Sequence, residues 1–169
     1  MNQYLPNMCY KNIFDIDYEK LVQQNIKLLL FDLDNTIIPD NVKDINDDIK
    51  QLFKKIKKLN IKPMIFSNSI KPNKVKRICN ELDIDYVYLA MKPLPFKFRK
   101  VIKNNNLNKE EVAIVGDQLL TDIKGGNRVG ITTILVKPIS EYDAIFTRFN
   151  RFREKRTMKK INRSFYEEM

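Results

Sequence analysis

A chain of 169 residues, 43% of them hydrophobic, is sized for one globular domain with a real core. It contains no histidine, which excludes Ser-His-Asp and Cys-His catalysis, His-ligated zinc and His phosphotransfer, and leaves acid–base chemistry to carboxylates, Lys, Tyr or Cys. The net charge of +10 directs the chain to anionic partners (phosphates, nucleic acid or acidic lipid), unless it only reflects abundant Lys on solvated helix faces.

The amino-terminal stretch lacks the basic region and apolar core of a secretion signal, and no apolar run reaches the length of a membrane span. Cys9 and Cys79 do not make a disulfide framework, so a reducing cytoplasm is the expected location. Residues 1–26 offer a short helix over 18–24 and little else readable. Then Leu28-Leu29-Leu30-Phe31 runs straight into Asp32-Leu33-Asp34-Asn35-Thr36. A short continuous apolar run reads as a strand buried on both faces, as in a parallel sheet. Asp32 and Asp34, two apart on extended chain, would share one face beyond its carboxyl end, where open α/β sheets bind ligands. Two carboxylates held together call for a divalent, oxygen-seeking cation, a shared proton, or both. One Asp alone would read as an acidic turn or helix cap.

Further on, the periodicity predicts a helix over 44–59, with Ile45, Ile49, Leu52, Phe53 and Ile56 on one face. A second buried strand over 61–66 ends at Ser67-Asn68-Ser69. A helix over 72–82 turns Val75, Ile78, Cys79 and Leu82 inward, with Pro72 suited to its first turn. A third strand over 86–89 ends near Met91-Lys92-Pro93. A helix over 95–105 carries Phe98, Val101 and Ile102 inward. A fourth strand over 112–115 ends at Gly116-Asp117, followed by a helix over 119–127 that Gly125-Gly126 is expected to break. A fifth strand over 131–136 is closed by Pro138. Five alternations of strand and helix predict an α/β fold, a single doubly wound (Rossmann-like) parallel sheet.

A parallel sheet gathers its strand ends along one edge. That edge would collect Asp32 and Asp34, Ser67, Lys92 and Asp117, with Asp122 one helical turn beyond. Such a set can handle a phosphate. The carboxylates hold Mg²⁺, Lys92 and the metal neutralise the phosphate, and one carboxylate can attack phosphorus.

These segments, in this order and spacing, resemble the four motifs of the haloacid dehalogenase superfamily of phosphohydrolases. They are Asp32-Leu33-Asp34-Asn35-Thr36, Ser67, Lys92 and Gly116-Asp117-Gln118-Leu119-Leu120-Thr121-Asp122, within about residues 28–136. The resemblance implies that Asp32 attacks phosphorus to form an aspartyl phosphate. It implies that Asp34 protonates the leaving oxygen and then activates water. Ser67 would hydrogen-bond a phosphoryl oxygen, and Lys92 would neutralise phosphate and the Asp32 charge. Mg²⁺ would be held by Asp32, the main-chain carbonyl of Asp34, Asp117 and Asp122, the last as ligand or second-sphere acid. Alternatives remain for three of these: Ser67 as a turn residue, Lys92 as one more solvated lysine, Asp122 as a helix surface residue.

A closer resemblance is to the capless class III members, the YqeG-type or phosphatidylglycerophosphatase family. It is carried by the first and last motifs together with Gly125-Gly126-Asn127-Arg128, Thr133-Ile134-Leu135-Val136 and Thr147-Arg148-Phe149-Asn150-Arg151. Neither 39–60 nor 69–92 has room for a cap domain. An open site suits a bulky substrate, such as a lipid headgroup in a bilayer or a nucleic-acid end. On this reading the chain divides into an N-terminal segment (1–26), a phosphatase core (27–138) and a C-terminal extension (139–169).

That extension carries Tyr142, Ile145, Phe146, Phe149 and Phe152, then a strongly basic run from Arg148 to Arg163. A basic amphipathic helix there would either meet an anionic membrane surface or pack its aromatic stripe on the core, and the two can coexist. The sequence therefore predicts a Mg²⁺-dependent phosphomonoesterase in the cytoplasm, held peripherally on the inner membrane face, and the resemblance implies phosphatidylglycerophosphate as its substrate. The alternatives are a phosphatase for nucleic-acid ends or another bulky phosphate, and a non-catalytic regulatory protein on the same scaffold.

Overall fold

In the computed structural model, which describes residues 3–140, the elements in chain order are β1 (Met8–Tyr10), α1 (Tyr18–Gln23), β2 (Leu28–Phe31), α2 (Asp47–Lys58), β3 (Lys62–Phe66), α3 (Pro72–Leu82), β4 (Asp85–Val87), α4 (Pro95–Asn104), β5 (Val112–Gly116), α5 (Lys124–Val129) and β6 (Thr132–Val136). A π-helical turn, Leu119–Ile123, leads into α5. The strands form one sheet in the order β1-β6-β5-β2-β3-β4, and every pairing is parallel.

Local chemistry sets the helix starts. Asp17 accepts a hydrogen bond from the Lys20 amide at 2.9 Å, and Asn46 accepts one from Ile49 at 3.0 Å; both satisfy orphan donors of a first turn. Pro72 and Pro95 open α3 and α4, where a missing N–H costs nothing. The expected helix over 44–59 starts three residues later because Asn46 takes the cap.

Strand β2 is buried at all four positions. Its side chains alternate between two cores. Leu29 and Phe31 join Ile49, Phe53 and Ile56 of α2 and Val75 and Ile78 of α3. Leu28 and Leu30 join Phe98 and Val101 of α4. Helices thus cover both faces, which explains why β2 reads as unbroken hydrophobicity. Only α2 lies between β2 and β3, and only α3 between β3 and β4, so no cap domain interrupts the fold.

Three details differ from the sequence reading. The amino-terminal stretch supplies a sixth strand, β1, on the outer edge of β6. Asn7 pins it: its side-chain oxygen accepts from the Thr133 amide at 2.8 Å and hydroxyl at 2.9 Å, while its own amide donates to the Thr133 carbonyl at 2.9 Å. The third strand of the sequence reading, 86–89, is β4 at 85–87, and Leu89 and Met91 beyond it adopt φ of 50° and 58°. Gly125-Gly126 does not break its helix. The two glycines sit in α5 because the backbone lies against neighbours: a Cβ on Gly126 would come 2.5 Å from Thr133 Cγ2 and 2.8 Å from Ile114 Cγ2.

That close approach sets the sign of a substitution. Alanine in a helix normally gains about 1 kcal/mol over glycine. Here the added methyl meets two branched side chains of the central strands, and overpacking costs about 1–3 kcal/mol. Gly126→Ala is therefore expected to lower the urea midpoint; a raised midpoint would show that the helix has room to shift. The expected C-terminal basic helix lies, from residue 141 onward, outside the described residues.

Candidate active site

The chain runs outward from β2 through β3 to β4, then returns to the other side of β2 as β5. The carboxyl ends of β2 and β5 therefore flank a topological switch point, where open α/β sheets form their ligand crevice. Asp32 follows β2 and Asp117 follows β5. The Asp32 amide still donates to the Val115 carbonyl at 2.9 Å, so its backbone continues the ladder.

Three carboxylates meet there. Oxygens of Asp32, Asp117 and Asp122 lie within 4.8 Å of one another, and all three residues are buried. Asp122 is fully enclosed, which removes its reading as a surface residue. The π-helical turn after Asp117 aims it inward, and its Oδ2 accepts from the Gln118 amide at 3.1 Å. Gly116 makes room for it: a Cβ on Gly116 would lie 2.2 Å from Asp122 Cγ. Thr36 donates its hydroxyl to Asp117 Oδ1 at 3.3 Å.

Lys92 is the cation of this cluster rather than a solvated lysine. Its side chain is 1% exposed, with Nζ 2.6 Å from Asp32 Oδ1 and 2.7 Å from Asp122 Oδ1. Burial alone would lower the Lys92 pKa, but the carboxylates of Asp122 and Asp32 outweigh it and hold the group ammonium well above its ordinary range. Burial pushes the Asp32 carboxyl up to about 6, against the pull of Lys92 and with the push of Asp122.

Ser67 is buried directly after β3, the neighbour of β2, and its Oγ accepts from the Ser69 amide at 3.0 Å. The turn role and a site role thus coincide, because the hydroxyl proton remains available to donate. Asp34 lies near enough to Asp32 for that charge to help burial raise its carboxyl pKa, and the chain turns just beyond it, at Asn35 with φ 62°. The Asp34 carboxylate stands outside the three-acid cluster and pairs with Lys74 Nζ at 2.6 Å. Burial raises its pKa, and Lys74 opposes the rise.

Two residues here escaped the sequence reading. The Lys74 side chain is only 7% exposed and also donates to the Asp40 carbonyl at 2.9 Å. It precedes the inward-facing Val75 in a lysine-rich helix, and nothing in the pattern marks it. Asn68 clasps the Lys92 backbone from both sides: its amide donates to the Lys92 carbonyl at 3.0 Å, and its carbonyl accepts from the Lys92 amide at 2.8 Å. An Asn two residues past a strand end was the available signal.

Three carboxylates around one ammonium leave excess negative charge in a buried place, which is costly without a further cation. Asp122 Oδ1 is enclosed and, though close to Lys92, makes no well-aligned hydrogen bond. Hard oxygen donors with one orphaned atom fit a divalent metal ion.

Comparisons with known proteins bear on the family and the fold. Residues 89–138 match the model of the HAD-hydrolase-like family. Over 160 residues the chain is 39% identical to a probable phosphatase, YqeG, of Bacillus subtilis, spanning 95% of this chain and 92% of that one. It is 28% identical over 150 residues to a phosphatidylglycerophosphate phosphatase of Arabidopsis thaliana, covering 84% of this chain but only 43% of the plant protein. Among solved structures, a predicted HAD-like family hydrolase from Porphyromonas gingivalis superposes with a TM-score of 0.56 at 12% identity, over 75% of this chain and 98% of that one. The cobalt-bound form of a deoxy-D-mannose-octulosonate 8-phosphate phosphatase from Haemophilus influenzae gives 0.54 at 16% identity, over 78% and 77%. These structural likenesses concern the fold; the sequence match to the Bacillus protein runs nearly end to end on both chains. The chain accordingly belongs to the YqeG-type phosphatases of the haloacid dehalogenase superfamily, hydrolases of phosphoric monoesters without a cap domain.

Proposed function

We propose that this phosphatase is Mg²⁺-dependent, works through an aspartyl phosphate on Asp32, and removes the terminal phosphate of phosphatidylglycerophosphate. The observation that carries the mechanism is the buried Lys92 shared by Asp32 and Asp122 beside Asp117.

Asp32 is the nucleophile. Lys92 holds one of its oxygens, which fixes the carboxylate and leaves the other oxygen to attack. As the Asp32 oxygen bonds to phosphorus, the bond from phosphorus to the leaving alkoxide breaks, and Asp34 delivers a proton to that oxygen. Asp34 then takes a proton from water, whose oxygen attacks phosphorus and releases Asp32 and inorganic phosphate. Lys92 and the Ser67 hydroxyl hold phosphoryl oxygens through both halves. A divalent ion bound by Asp32, Asp117 and Asp122 would supply Lewis-acid neutralisation of phosphoryl charge. Asp34 would join that set only through its main-chain carbonyl, since its carboxylate is engaged by Lys74.

Two facts support the lipid substrate. Among the described residues nothing caps the sheet edge, so a headgroup could reach it while the acyl chains stay outside. The plant relative bears the phosphatidylglycerophosphate name. Among the described residues no helix is long and apolar enough to cross a membrane, so access would be from the surface. Phosphatidylglycerophosphate set against a 5′-phosphorylated oligonucleotide separates this reading from a nucleic-acid end, which the basic charge also suits. Preference for the oligonucleotide would overturn it.

Metal dependence has its own test. Activity on an aryl phosphate is expected to vanish with chelator and return with Mg²⁺. Asp117→Ala removes a direct oxygen donor. Losing even an outer-sphere partner typically costs 10–100-fold in metal affinity, so the Mg²⁺ needed for half-maximal rate is expected to rise roughly tenfold or more. An unchanged requirement would place the metal elsewhere.

A further inference from the structure

Ten large apolar residues are exposed among the described residues, and six of them fall in two adjoining segments: Ile70, Tyr88, Leu89, Met91, Leu94 and Phe96. These segments follow β3 and β4 at the catalytic edge. They are stitched to each other, with the Leu89 amide donating to Ser69 at 3.4 Å and the Ala90 amide to Ser67 at 2.9 Å. The same segments carry Ser67 and Lys92, so the apolar rim belongs to the mouth of the site.

The burial pattern along it is inverted. Ala90, the smallest apolar residue of the stretch, is fully buried, while Leu89 and Met91 on either side are 43% and 56% exposed. Both of those hold positive φ, a conformation bulky residues rarely adopt and one that gathers at functional sites. Ile70 and Phe96 are 77% and 71% exposed. An exposed apolar cluster at a site mouth marks an interaction surface.

Charge selects the partner. Segments 67–77 and 88–100 contain eight Lys or Arg and no Asp or Glu. Lys74 and Lys92 are engaged inside, and Lys71 and Arg77 pair with Asp40 and Asp44, but Lys76, Arg99 and Lys100 lie at exposed positions. A second copy of a chain with net charge +10 would bring like charges together, whereas an anionic bilayer complements them. Ile139 and Ser140 bond to Asn35, beside Asp34, so the basic sequence after residue 140 joins the chain at this same edge.

We propose that this rim is a membrane-docking surface. Ile70, Met91 and Phe96 enter the headgroup layer of an anionic leaflet, basic residues meet the lipid phosphates, and the Asp32–Lys92 site faces a phosphomonoester at headgroup depth. The inference rests on the lipid-headgroup reading above.

The test uses the full chain and the triple variant Ile70→Ser, Met91→Asn, Phe96→Ser. All three side chains are mostly in water, so the fold should tolerate the change, and Asn accepts the positive φ at 91. Cosedimentation is measured with vesicles of phosphatidylcholine alone and of equal parts phosphatidylcholine and phosphatidylglycerol. The parent is expected to bind the anionic vesicles and the variant to bind them roughly tenfold or more weakly, because three apolar groups no longer leave water. Turnover of a soluble aryl phosphate should be the same for both. Equal vesicle binding by variant and parent, or no binding by the parent, would overturn the proposal. So would a parent that sediments as a dimer and a variant that is monomeric, which would make the rim a self-interface. Short-chain phosphatidylglycerophosphate dissolved as monomers tests the substrate reading apart from docking: if both proteins cleave aryl phosphate but neither cleaves it, the substrate reading fails and the vesicle result stands.

Discussion

Asp32→Asn is expected to abolish turnover while leaving the fold intact. An amide of the same shape fills the same buried place, but it cannot form the acyl phosphate. The fold should tolerate the change because Lys92 keeps Asp122 at 2.7 Å, and a site with three buried carboxylates loses one negative charge. Three measurements check it together. Aryl phosphate turnover should fall to background, beryllium fluoride should no longer form its phosphate-mimicking adduct, and the urea midpoint should hold or rise. Substantial residual turnover would remove Asp32 as the nucleophile. A collapsed midpoint would say that the Asp32–Lys92 pair is needed to fold.

Asp34→Asn is expected to slow the reaction by roughly 10²–10⁴-fold, the usual contribution of a positioned acid–base group. The loss should be graded by leaving group. An alkyl phosphate needs its departing oxygen protonated and should suffer most, while an aryl phosphate should suffer less in the first half-reaction and accumulate phosphoenzyme in the second. The Lys74 contact makes the case specific. An ammonium at 2.6 Å fixes the carboxylate and opposes its protonation, whereas burial favours protonation, and the mechanism needs both protonation states. Rates on alkyl phosphates equal to the parent's would give the acid–base role to another group.

Legibility of the chain followed from burial. Strand β2 reads plainly because a strand covered by helices on both faces must be apolar throughout, and the helices show one apolar stripe each. The residues at the strand ends were readable because each interrupts such a run. What the sequence hid was relational. Strand β1 has three half-buried residues and owes its place to Asn7 and Thr133, partners 126 positions apart. The Gly125-Gly126 pair signals a break by propensity, but tertiary contact overrides propensity and asks for backbone without side chains. Lys74 reaches Asp34 from a helix 40 positions further along the chain, and a lysine among lysines gives no sign of burial.

The pairing of β1 with β6 bears on how the protein is made. Among the described residues the most amino-terminal strand pairs with the most carboxy-terminal one, Met8 opposite Ile134, so its hydrogen bonds wait until β6 is synthesised. Contacts that distant in sequence form late, since the long loop must close first. Until they form, β6 (Thr-Thr-Ile-Leu-Val) is the outer strand of a parallel sheet, a β-branched, uncharged edge of the kind that recruits other chains. Residues 7–10 therefore cover that edge in the folded protein. Nascent or heated protein in which that cover has lifted would expose its aggregation-prone strand while the Asp32 site, two strands inward, is still whole.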